Sequence, residues 1–167
     1  LQEGLGDVAG ATETLEQLAR EVPDDDEVTL GLSRLYRRSD RYTEGVALLR
    51  ERLANLHGRV ETEGEAVRPR IVQLGATLAE ILTDEGREHG PALALVRETL
   101  ATIVEPVASE LAGLRRALLE LQTKLARTLA DFALLVDGLE ALGDPDELLE
   151  AASLAQKRLQ DPERAAR

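Results

Sequence analysis

The chain contains no cysteine. That excludes a disulfide framework, a thiolate zinc site and a cysteine nucleophile together. Aromatic residues are nearly missing as well: Tyr36, Tyr42 and Phe132 are the only three in 167 residues. A sheet protein of this length draws on aromatic and β-branched side chains to fill its pleated faces, so this shortage argues against strands. Lysine occurs only at Lys124 and Lys157, against 18 arginines, a bias that fits a high-GC bacterial genome. No apolar run approaches the ~20 residues of a membrane span, and no basic stretch followed by an apolar one marks a secretory leader. The chain opens at Leu1 without Met, and the expectation is a piece of a longer cytoplasmic protein.

Catalytic signatures are missing too. None of Ser33, Ser39, Ser109 and Ser153 lies in a Gly-x-Ser-x-Gly turn, and no glycine-rich loop ends in a lysine. With 32 acidic residues, paired carboxylates carry no information. His57 and His89 are far apart, each beside a glycine, and read as exposed helix-end residues rather than metal ligands. The run Asp24-Asp25-Asp26 lacks the spaced oxygen ligands and glycine of a calcium loop, so capping is the better account. The expectation is a protein that is no enzyme and uses no cofactor or metal.

What is present is leucine, alanine, valine, glutamate and arginine, a vocabulary dominated by strong helix formers. The fold class that follows is all-α, and circular dichroism should show well over half the residues helical, against ~30–35% for an average globular domain. A net charge of −12 and a pI near 4.7 argue against a nucleic-acid or anionic-membrane binder, since both surfaces repel an acidic protein.

Internal similarity organises the chain. Gly6 to Leu18 can be laid over Asp40 to Arg52 at an offset of 34 residues; each reads as a polar turn, a small residue, then a helix with apolar positions every third or fourth residue. Between them, Pro23 cannot continue the preceding helix, and the aspartates cap a helix running from about Glu27 to Arg38. A similar unit recurs at His89 to Leu100 and a fourth candidate at Gly143 to Leu149, placing small-residue positions at Ala11, Gly45, Ala92 and, with a misfit, Leu148. The spacings are 34, 47 and 56 residues. Residues 1–55 thus form regular units, 56–104 a stretched one, and 105–167 a long helix or helix pair plus a final helix, all within a single segment. From Val107 to Leu142 apolar residues alternate at three and four, with Pro106 suited to a first helical turn. As one helix this run would span ~50 Å; two packed helices breaking near Thr123–Thr128 fit better.

The first ~55 residues resemble the tetratricopeptide repeat, a 34-residue helix-turn-helix unit. Pro23 stands where that family closes a repeat, Leu32, Tyr36 and Tyr42 fall at its large positions, and Ala11, Ser33 and Gly45 at its small ones. Leu74, Gly75 and Leu78 are similar to a third repeat. Arg52, at a usually small position, and the long turn Asp84–Gly90 depart from the pattern. The resemblance implies antiparallel helix hairpins forming a short right-handed superhelix, whose concave face binds peptides or helices of partner proteins.

One charge cluster runs against the acidic background. Arg34, Arg37 and Arg38 share a flank of one helix at i, i+3 and i+4, with Arg41 in the following turn. As a site, they form a clamp for an acidic protein or peptide segment, because the guanidinium fork pairs with carboxylates. As structure alone, they complement the helix dipole. The alternative functions are a regulatory or sensor segment whose catalytic or DNA-binding module lies outside these residues, and an oligomerisation segment self-associating through Val107–Leu142.

Overall fold

The computed structural model describes residues 3–104 and 107–159, and every regular element among them is helical. The order is α1 (Glu3–Glu21), α2 (Asp26–Arg38), α3 (Tyr42–Glu63), a 3-10 turn (Gly64–Ala66), α4 (Arg68–Asp84), α5 (His89–Ala101), α6 (Ser109–Thr128), α7 (Phe132–Leu142), α8 (Pro145–Leu154) and a π-helical turn (Ala155–Leu159). The chain divides into two compact units, Leu1–Gly86 and Arg87–Arg167.

In the first unit each helix packs against the next, and α2 also touches α4. Val28, Leu32 and Tyr36, spaced at i, i+4 and i+8, bury one stripe of α2. Leu49 and Leu56 of α3 are fully buried, as are Val72, Leu74 and Ala79 of α4. Asp25 caps α2 by accepting hydrogen bonds from the backbone N–H groups of Glu27 (2.8 Å) and Val28 (3.2 Å). The turn expected at Gly6–Asp7 is instead helix, inside α1: a glycine within a helix costs about 1 kcal/mol but forces no turn. Ala11 is exposed rather than at a crossing; α1 meets α2 near Gly31, where a Cβ would lie 3.1 Å from Leu15 Cδ1.

In the second unit α5, α6, α7 and α8 likewise pack in succession. The apolar run 107–142 is two helices. They part at Leu129–Asp131, where Ala130 takes a left-handed φ of 56° and Asp131 caps α7 by accepting from Leu134 N–H (3.1 Å). Its alternating leucines are largely interior: Leu118, Leu125, Leu135 and Leu139 are buried, and Ala126, Leu135, Val136, Leu139 and Ala151 form one core cluster. Pro106 lies outside the described residues. Gly143 ends α7 at φ 76°, a conformation that favours glycine.

Two glycines at helix crossings give opposite expectations. At Gly45 an added Cβ would sit 3.5 Å from Ser33 O and Tyr36 Cβ, ordinary contact distances. Gly45→Ala should therefore be neutral or stabilise by up to about 1 kcal/mol through helix propensity, whereas Gly45→Leu should cost about 1–3 kcal/mol by driving α3 off α2. At Gly138 the same Cβ would meet Thr123 Cγ2 at 2.7 Å and Gln122 Nε2 at 3.3 Å. Thr123 cannot turn away without moving the hydroxyl that donates to Glu120 O at 2.8 Å. Gly138→Ala should consequently destabilise by about 1 kcal/mol or more despite alanine's propensity. Thermal melts of the three variants check the pair, and a Gly138→Ala protein that melts above wild type would disprove the close approach.

Candidate functional site

The four arginines expected to act together separate into three environments. Arg34 and Arg38 are exposed on α2 and make no ion pair among the described residues. Their neighbour Arg37 is half-buried, and its Nε donates to the Glu85 carboxylate just beyond the end of α4. Arg34, Arg37, Arg38 and Glu85 line an open depression of about 400 Å³. The i, i+3, i+4 spacing along α2 is what brings the three cations to one flank.

Arg41 belongs to the fold instead. Its guanidinium donates to Glu16 (3.0 Å) and Glu44 (3.1 Å) and lies 4.2 Å from the centre of the Tyr36 ring. Tyr36 in turn donates its hydroxyl to Glu16 (2.9 Å). The Tyr36 hydroxyl and then the Arg41 guanidinium hold the Glu16 carboxyl below its ordinary value, while burial and then the Glu16 contact push the Tyr36 phenol up. The ring-stacked, doubly paired arginine ties the turn before α3 to α1, a geometry lysine could not reproduce.

A second charged cluster went unread in the sequence. Arg52, only 5% exposed, reaches from α3 to the start of α2. It donates to Asp26 Oδ1 at 2.7 Å, to Asp24 Oδ1 at 2.6 Å and to the Asp24 carbonyl. Arg70 of α4 completes the group by pairing with Asp26, and Arg59 by pairing with Asp24 (3.0 Å) and Glu63 (2.6 Å). Burial raises the Asp26 carboxyl, yet the hydrogen bonds from Arg70 and Arg52 outweigh it and the net displacement is downward. For Asp24 the Arg52 hydrogen bond is the leading cause of a lowered value. Asp25 alone is a cap, and its two neighbours are ion-pair acceptors. A depression of about 380 Å³ beside them, lined by Pro23, Leu48, Asn55 and others, offers Arg52 as a cation already satisfied from within.

His57 sits within α3, because Gly58 continues that helix rather than ending it. His89 opens α5 with its Nδ1 buried and without a hydrogen-bond partner among the described atoms. No group of three or more His, Cys, Asp or Glu side chains arranged to hold a metal ion occurs among the described residues, and none of the described helices is long and apolar enough to cross a membrane. The chain matches no known family model, and no curated protein matches it in sequence.

Proposed function

We propose that the chain is a non-catalytic interaction module, of tetratricopeptide-like build, that captures an acidic segment of a partner protein on the arginine flank of α2. The observation that carries this reading is the pair Arg34 and Arg38. Both are exposed, both lack an internal counter-ion among the described residues, and both border an open depression in a protein of net charge −12. Most other arginines of the first unit are tied to carboxylates, as at Arg41, Arg52, Arg59 and Arg70. Guanidiniums left open in an excess of acid are available to a carboxylate from outside. Arg37 contributes once it is released from Glu85, and Arg41 supports the fold. The seam 107–142 is mostly used within the second unit, which favours the groove on α2 over that seam as the contact surface. The test is titration of a fluorescent hexaglutamate peptide into wild type and the Arg34→Glu/Arg38→Glu variant, with a hexaglutamine peptide as control. Equal binding of hexaglutamate by both proteins would place the contact elsewhere.

A further inference from the structure

We infer that Glu85 is a built-in competitor for this site, an internal carboxylate that occupies Arg37 and must be displaced before a partner engages all three guanidiniums; the inference rests on the proposed acidic-segment reading. Glu85 lies 48 residues from Arg37 in sequence, so nothing local imposes the pairing. The fold delivers it. The N–H groups of Glu85 and Gly86 both donate to Ile81 O, wrapping the chain tightly around the end of α4. Gly86 admits the Tyr42 ring of α3 where any Cβ would sit 2.0 Å from the hydroxyl. The next residue, Arg87, turns the chain in a left-handed conformation at φ 50°, sparsely populated by non-glycine residues. The Glu85 backbone is thereby anchored at the mouth of the depression while its side chain stays about one-third exposed, as does that of Arg37.

That geometry differs from the interior clasp on Arg52. A pair open to water is weak, so an incoming carboxylate can exchange with Glu85 at little cost. Arg34 and Arg38 act as the open docking cations and Arg37 as the gated third. A ligand with a single carboxylate engages the open pair and leaves Glu85 in place. A ligand with several closely spaced carboxylates displaces it, and the site thereby favours acidic clusters over isolated acids.

Hexaglutamate titrations of wild type, Glu85→Gln, Arg37→Gln and the double variant test this. Glu85→Gln is expected to tighten binding by roughly two- to fivefold, the affinity equivalent of an exposed pair. The gain should shrink toward unity in the Arg37→Gln background. A peptide carrying one glutamate among glutamines should show no gain from Glu85→Gln. An equal gain with and without Arg37 would mean that Glu85 acts only by general repulsion, and would overturn the inference. Unchanged or weaker binding by Glu85→Gln, while Arg34→Glu/Arg38→Glu still weakens it, would also overturn the inference and leave the acidic-segment reading standing. Binding indifferent to Arg34 and Arg38 as well would overturn both.

Discussion

Replacing Arg52 by alanine is expected to destabilise the first unit by about 2–3 kcal/mol, since removing one partner from a buried ion pair leaves the other's charge uncompensated. The figure sits below the usual range for fully buried pairs because Arg70 still serves Asp26 and because Asp24 is largely exposed. In a domain of this size such a loss lowers the melting temperature by roughly 10 °C or more. The effect is pH-dependent with a definite sign. Asp24 and Asp26 titrate below the ordinary value of 3.8 in the folded chain, so they contribute stability above that pH and lose it as the pH falls through their folded values. The gap between wild type and Arg52→Ala should therefore be full at neutral pH and narrow below about pH 4. Urea unfolding at neutral and acid pH measures both. A gap that stays constant on acidification would show that Arg52 contributes through packing of its stem rather than through the aspartates.

Charge reversal at Arg34 and Arg38 should weaken binding of an acidic peptide more than any other change to the α2 flank. Two exposed attractions are lost and two repulsions gained, each worth about 0.2–1 kcal/mol, which together come to about 0.8–4 kcal/mol, a loss of roughly fourfold to several hundredfold. Wild-type binding should also weaken as salt rises, because exposed charges are screened over about 8 Å at physiological ionic strength. The fold should persist, as neither residue has an internal ion partner among those described. Arg38 does lie in the last turn of α2, where a glutamate opposes the helix dipole, so a fall of a few degrees in melting temperature is expected. Arg34→Gln/Arg38→Gln separates the two effects, weakening binding with less change in melting.

Local signals made the helices readable. The aspartates after Pro23, the left-handed Gly143 and the leucine stripes are short-range features, and α2 lies within a residue of its expected bounds. The break between α6 and α7 was harder to place. Leu129 and Phe132 keep the three-four alternation across it, and the turn is made by Ala130, which carries no turn signature in sequence. The charged clusters were the least legible part. Arg52 registered only as a misfit at a small-residue position, whereas its length is what lets it span to Asp24 and Asp26. Likewise, the helix register could group Arg34, Arg37 and Arg38, but only the folded chain reveals that Glu16 and Glu85 claim Arg41 and Arg37.

Packing of each helix mainly against its sequence neighbour also bears on kinetics. When contacts join residues close along the chain, little loop-closure entropy is lost before they form, and helical domains of this kind fold on microsecond to millisecond timescales. Within each unit a nucleus can arise at any adjacent pair of helices and grow by adding the next. The exception is the reach from α2 to α4, where Asp26 meets Arg70 across 44 residues. That closure, with the Arg70 hydrogen bond to the Asp24 carbonyl and the pairing of Arg37 with Glu85, joins residues far apart in the first unit and belongs late on the folding path. Its rupture would correspondingly be among the first events when the unit opens.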